Sequence, residues 1–291
     1  MASILVTGAS RGIGRATCLS LGRAGHRVFA TMRDPSRAPA LSAIARAESL
    51  PIVVSALDVD SDDSVRQGVA DIIAQHGPVD VLVNNAGIER RGSVEELALG
   101  EFRAVMETNY FGAIRCIQAV LPSMRARGSG CIINITSVAG RISSSPLGPY
   151  SASKFALEAI SEALAQEVKA LGIRVAIVQP GIINTDMATA LTAEADGSRY
   201  PHSRRFAALF AASLKTPTGP ELVGDTIRSL IESDSPRFRN PVGPDAEPFL
   251  AWRASMTDEQ WVDWGATDDE SWYAAVERDF GLDARRIEPR S

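Results

Sequence analysis

Thr7-Gly8-Ala9-Ser10-Arg11-Gly12-Ile13-Gly14 follows the apolar run Ile4-Leu5-Val6 and opens a helical pattern over 13–23 that stops before Gly25. Strand, glycine turn and helix in that order give each glycine a task. Gly8 permits a tight turn, Gly12 lets the backbone approach a pyrophosphate, and Gly14 lets the helix lie close to the sheet. The first helical turn offers unpaired N–H groups and the positive end of the helix dipole to a phosphate. Gly8, Ser10, Arg11, Gly12, Ile13 and Gly14 are therefore candidate contacts to a dinucleotide. Glycine spacing alone carries little weight; its place between a strand and a helix supplies the rest.

Outward from this turn, short apolar runs alternate with helical patterns. Residues 4–7, 28–32, 52–56, 79–83, 131–136 and 175–179 read as strands. They are continuous rather than alternating runs, as expected of a parallel sheet covered on both faces. Helical patterns fall at 62–75, after the N-cap candidate Ser61, and at 102–127, where Pro122 is expected to kink or end the helix. Two more fall at 151–171 and 217–233. The fold class is α/β, a doubly wound parallel sheet flanked by helices. One catalytic domain is expected over 1–240, with a helical lid at about 182–215, and a tail from 241 packed on it. Residues 236–248, rich in proline and glycine, read as loop. The tail holds Trp252, Trp261, Trp264 and Trp272, read as packing anchors.

Composition excludes several classes. The 291 residues carry a net charge of −5 with no basic stripe, so no nucleic-acid partner is expected. Cys18, Cys116 and Cys131 are far apart and odd in number, and His26, His76 and His202 are scattered; no disulfide framework or metal site is read. No signal peptide fits and no apolar stretch is long enough to cross a membrane. Reduced thiols point to the cytoplasm.

The second strand ends Ala30-Thr31-Met32-Arg33-Asp34. An acid there suits the ribose 2′-hydroxyl of NAD, a base the 2′-phosphate of NADP. Arg33 lies 19 residues after Gly14, and Arg11 sits in the turn itself, so NADP(H) is favoured; NAD(H) follows if Asp34 faces the ribose instead. Asp58-Val59 after the third strand is placed to flank an adenine. Asn85, Ala86 and Gly87, after the fourth, fall on the same carboxyl edge of the sheet. Asn85 is also a candidate to stabilise its own turn.

Tyr150-Ser151-Ala152-Ser153-Lys154 puts a phenol and an ammonium on one helix face. A free tyrosine, with a pKa of about 10, exchanges protons poorly at neutral pH. A nearby lysine is expected to lower that value and so make the pair a general acid for carbonyl reduction, or a base for alcohol oxidation. Ser137, just past the fifth strand, offers a hydroxyl to the reacting oxygen. Asn109 is a mediocre helix former within a helix, and its carbonyl is suited to hold a water that passes protons to Lys154.

With these residues assembled, the sequence resembles the short-chain dehydrogenase/reductase family. The matching pieces are Thr7-Gly8-x-x-x-Gly12-x-Gly14, Asn84-Asn85-Ala86-Gly87, Asn109, Ser137, Tyr150-x-x-x-Lys154, and Pro180-Gly181 with Thr185. They span about residues 1–190 in the family's order. The resemblance implies a Rossmann-type fold with a seven-stranded parallel sheet, and hydride transfer at the nicotinamide, with Tyr150 as proton donor. It implies Lys154 on the nicotinamide ribose as well, Ser137 orienting substrate and Asn109 completing a relay. Pro180 and Gly181 would lie beside the nicotinamide, and Ile183 and Thr185 at its carboxamide. A homodimer or homotetramer through the helices at 102–127 and 151–171 is implied too. The stretches 30–34 and 148–158 are similar to the hydroxysteroid and retinol dehydrogenase branch.

The substrate is expected above Tyr150, walled by residues 89–93, 142–147 and 182–210. Met187, Leu191, Phe206, Leu209 and Phe210 suit a bulky apolar ketone or alcohol. Two other readings stand. One is a ketoreductase on acyl thioesters, for which Arg90, Arg91 and Arg141 would face an acidic carrier. The other is an NADP-binding protein without turnover, against which the full set of Asn109, Ser137, Tyr150 and Lys154 argues.

Overall fold

A computed structural model describes residues 1–193, 197–233 and 237–285. Residues 194–196 of the expected lid, Pro236 at the head of the expected loop, and the tail from 286 lie outside the described residues. The run Ile4-Leu5-Val6 forms β1, Ser3–Thr7. Side chains alternate across a strand, so Ile4 and Val6 join one core and Leu5 the other. The strand therefore has no polar face, and helices must cover both sides.

The first half alternates as the sequence predicts. After β1 come α1 (Gly12–Arg23), β2 (Arg27–Met32), a short helix α2 (Pro39–Ala47), β3 (Ile52–Ala56), α3 (Asp62–His76) and β4 (Val81–Asn84). Ser61 caps α3, its side chain accepting from the Ser64 N–H at 3.3 Å. α2 escapes sequence reading because only Leu41 and Ala45 are buried along it, too few to set a helical period.

The pattern at 102–127 resolves into α4 (Leu99–Met106), a π-helical turn at Glu107–Phe111, and α5 (Gly112–Arg127). Pro122 does not end α5, which runs on to Arg127. Cys116, Ile117 and Val120 before it and Met124 after it are all buried, and that burial outweighs the lost backbone hydrogen bond. Then follow β5 (Gly130–Ile135), α6 (Gly148–Lys169), β6 (Ile173–Pro180), the lid helices α7 (Asp186–Ala190) and α8 (His202–Ser213), and α9 (Glu221–Glu232).

The seven strands form one parallel sheet in the order β3-β2-β1-β4-β5-β6-β7, with β7 at Arg239–Val242. That strand corrects the reading of 236–248 as loop, and it also holds the expected boundary at 240/241 within the sheet. Only Val242 is buried in it, so no apolar run announces it. Pro241 is tolerated because β7 is an edge strand, paired on one side with β6. One face is covered by α1, α2 and α9, where Cys18, Leu21, Leu41, Val223 and Ile227 meet the strands. The other is covered by α3, α5 and α6 through Val65, Val69, Val120, Met124 and Leu164.

The last elements are α10 (Ala246–Ala254), α11 (Asp258–Ala266) and α12 (Asp269–Phe280). Trp252, Trp261, Trp264 and Trp272 contact one another with ring centroids 5.0–5.9 Å apart. Trp272 and Val276 pack on Ala208 and Ala212 of α8. The tryptophans act as packing anchors between tail and lid.

The strand order reverses between β1 and β4, and a crevice opens there at the carboxyl ends of the strands. The glycine turn and Asn84–Gly87 flank that crevice.

Candidate active site

Gly8 and Gly12 have φ of +66° and +53°, the left-handed region in which a side chain is strained. A methyl on Gly14 would lie 2.4 Å from the Gly8 carbonyl oxygen, so the turn closes on itself where α1 begins. Asn85 locks it from the side: its amide donates to the carbonyls of Thr7 at 2.9 Å and Gly8 at 3.1 Å. The Thr7 hydroxyl accepts from the N–H groups of Asn85 and Ala86 in return. The Asn85 side chain is thus spent on the turn, leaving its backbone to the cavity.

That cavity, of about 350 Å³, runs along the carboxyl edge of the sheet. Gly8, Ser10, Arg11, Gly12, Ile13 and Gly14 form one wall, and Arg33, Asp58 and Val59 one end. Asn85, Ala86 and Gly87 line its middle, with Ser137, Tyr150 and Lys154 opposite Pro180, Gly181, Ile183 and Thr185. Every candidate site residue but Asn109 lines it. Asp34 does not; its carboxylate accepts from the N–H and hydroxyl of Ser36 and caps the turn Pro35–Arg37. Asp60 and Thr108 also line the cavity, joined by a 3.0 Å hydrogen bond, and were missed. Asp60 stands two residues from Asp58 in Asp58-Val59-Asp60, the only signal available.

Asn109 lies in the π-helical turn and clamps Ile88 from both sides. Its Oδ1 accepts from the Ile88 N–H at 2.8 Å, and its Nδ2 donates to the Ile88 carbonyl at 2.9 Å and to Ser153 Oγ at 2.9 Å. One lone pair of the expected water-holding carbonyl is therefore committed to the backbone. A methyl on Gly87 would stand 3.3 Å from Asn109 Oδ1 and 3.7 Å from Lys154 Nζ, so both groups flank Gly87.

Lys154 is buried, and its ammonium donates to the Ile135 carbonyl at 2.8 Å. Desolvation brings it down to about 8, against the charge of Glu158 one turn further along α6. The Tyr150 phenol moves the other way. Desolvation pushes it up to about 12, the hydrogen bond with Ser137 pulls it down, and the Glu89 charge pushes it further up. This corrects the expectation that Lys154 lowers the phenol. Nζ stands 5.6 Å from the ring centroid, turned to a carbonyl, and exclusion of water from the phenol dominates. The protein by itself holds Tyr150 firmly protonated.

The substrate end is walled by Leu147, Ile182, Met187, Leu191 and Phe210. Phe206 is buried behind Leu147 and Leu191, whereas Leu209 packs on the tail instead. Two clasps hold α7 over the cavity. Arg11 Nη1 pairs with Asp186 at 3.2 Å, and Arg91 donates to the Leu191 and Ala190 carbonyls at 2.7 and 3.2 Å. Arg90 pairs with Glu101 at 2.5 Å, so two of the three arginines considered for a carrier are engaged elsewhere. Among the described residues no cluster fit to hold a metal occurs, and no helix is long and apolar enough to cross a membrane.

A seven-stranded Rossmann-type sheet with a tyrosine, a lysine and a serine over a glycine turn defines a nicotinamide-dependent oxidoreductase. The chain belongs to the short chain dehydrogenase family, whose model matches residues 2–196. It is 39% identical over 252 residues to 3-ketodihydrosphingosine reductase of Bacteroides thetaiotaomicron, covering 85% of this chain and 90% of that one. It is 34% identical over 266 residues to retinol dehydrogenase 8 of Bos taurus, covering 87% and 85%, in keeping with the branch read from the sequence. A crystal structure of gluconate 5-dehydrogenase from Burkholderia cenocepacia J2315, in complex with NADP and tartrate, superposes with a TM-score of 0.73 at 28% identity, over 84% of this chain and 95% of that one. The protein is an oxidoreductase acting on CH–OH and carbonyl groups.

Proposed function

We propose that the protein is an NADP(H)-dependent oxidoreductase that interconverts a bulky apolar ketone and its secondary alcohol. The observation that carries this is one cavity with Arg33 at one end and Tyr150, Ser137 and Lys154 at the other, while Asp34 is turned away to cap its own turn. The residues present fit the dinucleotide. The turn bends through two glycines at positive φ, and Asn85 holds its carbonyls away from the cavity. Gly8, Ser10, Gly12, Ile13 and Gly14 would hold its pyrophosphate, Arg33 its 2′-phosphate, joined by Arg11 on release of its exposed pair with Asp186, and Asp58 and Val59 its adenine. Lys154, Ala86 and Gly87 would hold the nicotinamide ribose, with Pro180, Gly181, Ile183 and Thr185 beside the ring. When bound, the cofactor supplies or takes the hydride.

The chain's own residues handle the proton and the carbonyl. Ser137 and Tyr150 hydrogen-bond the carbonyl oxygen, and Tyr150 gives its proton as the alkoxide forms. The charged Lys154 ammonium is the store from which the phenol's proton is restored. Asn109 keeps Ile88, and so the strand of chain before Glu89, in place; its second Oδ1 lone pair remains for a relay water. The apolar end made by Leu147, Leu191 and Phe210 supports a bulky apolar substrate over a polyol acid. The engaged Arg90 and Arg91 argue against an acyl-carrier ketoreductase.

Arg33→Ala tests the cofactor. Loss of a charge-assisted phosphate contact is expected to raise the NADPH KM about 10–100-fold and leave the NADH KM within about threefold. Equal effects on the two cofactors would reject NADP preference.

A further inference from the structure

Glu158 is a buried acid that neither the cofactor nor the proton transfer uses, and it stands where three pieces of the site meet. Those pieces come from different elements: Ser137 lies just past β5, Tyr150 and Lys154 belong to α6, and Pro180-Gly181 ends β6. Glu158 follows Lys154 by one helical turn on the same face of α6. The two side chains grip neighbouring residues of one strand end. The Lys154 ammonium donates to the Ile135 carbonyl at 2.8 Å, and Glu158 Oε1 accepts from the Thr136 hydroxyl at 2.7 Å. The same Oε1 accepts from Gln179 Nε2 at 3.0 Å. One oxygen thus holds the residue before Ser137 and the residue before Pro180. Oε2 accepts from Arg239 Nε of β7 at 2.8 Å. A methyl on Gly140 would lie 3.0 Å from Glu158 Cγ and 3.2 Å from the Lys154 carbonyl, so the turn after Ser137 rests directly on α6 here.

Thr136 and Gln179 are themselves buried, so neither has water as an alternative partner. Without the carboxylate both donors are stranded and both strand ends are released to settle elsewhere. The Lys154 ammonium makes no ion pair among the described residues, and desolvation works against its charge; Glu158 opposes that loss. The other charged groups around the cavity are engaged elsewhere. Glu89 acts on Tyr150, Asp58 and Asp60 stand at the Arg33 end, Asp186 pairs with Arg11, and Asp245 accepts from the Ile182 N–H. From β7, Arg239 faces Glu158 with Glu162 beside it.

We propose that Glu158 is a positioning residue for the reaction: it holds Ser137 and Pro180-Gly181 in register with Tyr150 and Lys154, and it supplies the negative charge beside which Lys154 carries its proton. The inference rests on the roles given to Tyr150 and Lys154 above. Glu158 acts through those groups and not on the substrate. Its first task bears on kcat, its second on the pH at which Lys154 is discharged. Variants separate the two. Glu158→Gln keeps a carbonyl oxygen for Thr136 and Gln179 but loses the charge. Glu158→Asp keeps the charge on a stem too short to reach both donors. Thr136→Val keeps the charge and removes one donor.

The test follows NADPH-dependent reduction of propiophenone, benzylacetone and trans-decalone across the neutral and alkaline range. It uses the full-length wild type, these three variants and, as the catalytic control, Tyr150→Phe. Thermal melting and NADPH binding establish that each folds. Where Glu158→Gln does not fold, Glu158→Gln with Arg239→Gln replaces it, leaving no guanidinium without its acid; of the two charges only that of Glu158 acts on Lys154. Removing the Glu158 charge lowers Lys154 further, so the ammonium is lost at a lower pH. The alkaline limb of kcat/KM is expected to move down by about 0.5–1.5 pH units, as for a unit charge removed one helical turn away. Glu158→Asp should return the limb to within about 0.3 unit of wild type and lower kcat about 10–100-fold, as for a small misplacement of reacting groups. Thr136→Val should lower kcat about 10-fold with the limb in place and the NADPH KM within about twofold. A residue that served the fold alone would lower the melting temperature and leave the limb where it was. An unmoved limb in the charge-removing variant overturns the inference, and so does a wild-type kcat in Thr136→Val; with Tyr150→Phe inactive, either result leaves the catalytic reading standing. A Tyr150→Phe variant as active as the wild type overturns the catalytic reading and this inference with it. No reduction of any of the three ketones by folded, NADPH-loaded wild type does the same.

Discussion

Desolvation moves the two halves of the proposed reacting pair in opposite directions, Tyr150 up to about 12 and Lys154 down to about 8. Proton donation needs a protonated phenol and a charged lysine to replace its proton. Lys154 is charged below about 8 and loses its charge as pH rises past it, so the rate of carbonyl reduction is expected to fall above about pH 8. A pH profile of kcat/KM for NADPH-dependent reduction checks this; a rate unchanged to pH 10 would contradict it. The same shift has a stability sign. The unfolded chain binds more protons at Lys154 between its folded value and its ordinary one, so this group makes the protein more stable as pH rises through that interval. At this scale most of the site was legible in the sequence, because glycine spacing and Tyr-x-x-x-Lys depend on local geometry alone. Asp60 carries no such spacing, and Glu89 is legible only as one end of the wall at 89–93. They reach the cavity through the packing of loops, and only Asp34's turn toward Ser36 shows which member of the Arg33-Asp34 pair faces it.

Among the elements, α8 and α12 decide how the lid is held. Trp272 is buried against Ala208 and Ala212 and sits at the edge of the four-tryptophan cluster. Trp261 Nε1 donates to the Ser143 carbonyl at 3.2 Å, so the tail also reaches the loop before Leu147. Trp272→Ala is expected to cost about 3–5 kcal/mol of stability and to raise the substrate KM more than that of NADPH. Thermal denaturation and steady-state kinetics measure both. A normal melting temperature would show that the cluster is not an anchor. Six strands were legible as short continuous apolar runs, and the long helices as periodic ones. β7 was not, since Arg239, Asn240 and Pro241 are half-buried at a sheet edge, where no apolar run is required. The split of the 102–127 helix at Asn109 was legible only as an oddity of propensity. Its cause is that the π-helical turn aims Asn109 at Ile88.

For the molecule as a whole, the reversal of strand order between β1 and β4 sets where the crevice opens. The glycine turn, the Asn84–Gly87 stretch, Ser137 and Pro180-Gly181 all end strands on that one edge, so a single crevice gathers pieces distant in sequence. Phe111, beside α5, and Phe155 of α6 are 45% and 41% exposed, apolar surface that the assembly implied by the family resemblance would cover. Sedimentation is expected at a multiple of the 31.0 kDa chain, and Phe155→Arg should shift it toward the single-chain mass. A wild-type protein that sediments as one chain would contradict this. The most direct test of the central claim is NADPH oxidation over a panel of bulky apolar ketones by the wild type and by Tyr150→Phe. The wild type is expected to reduce at least one, and Tyr150→Phe to lose about 10²–10⁴-fold in kcat while still binding NADPH. A Tyr150→Phe variant that reduces the same ketone at the wild-type rate would contradict it.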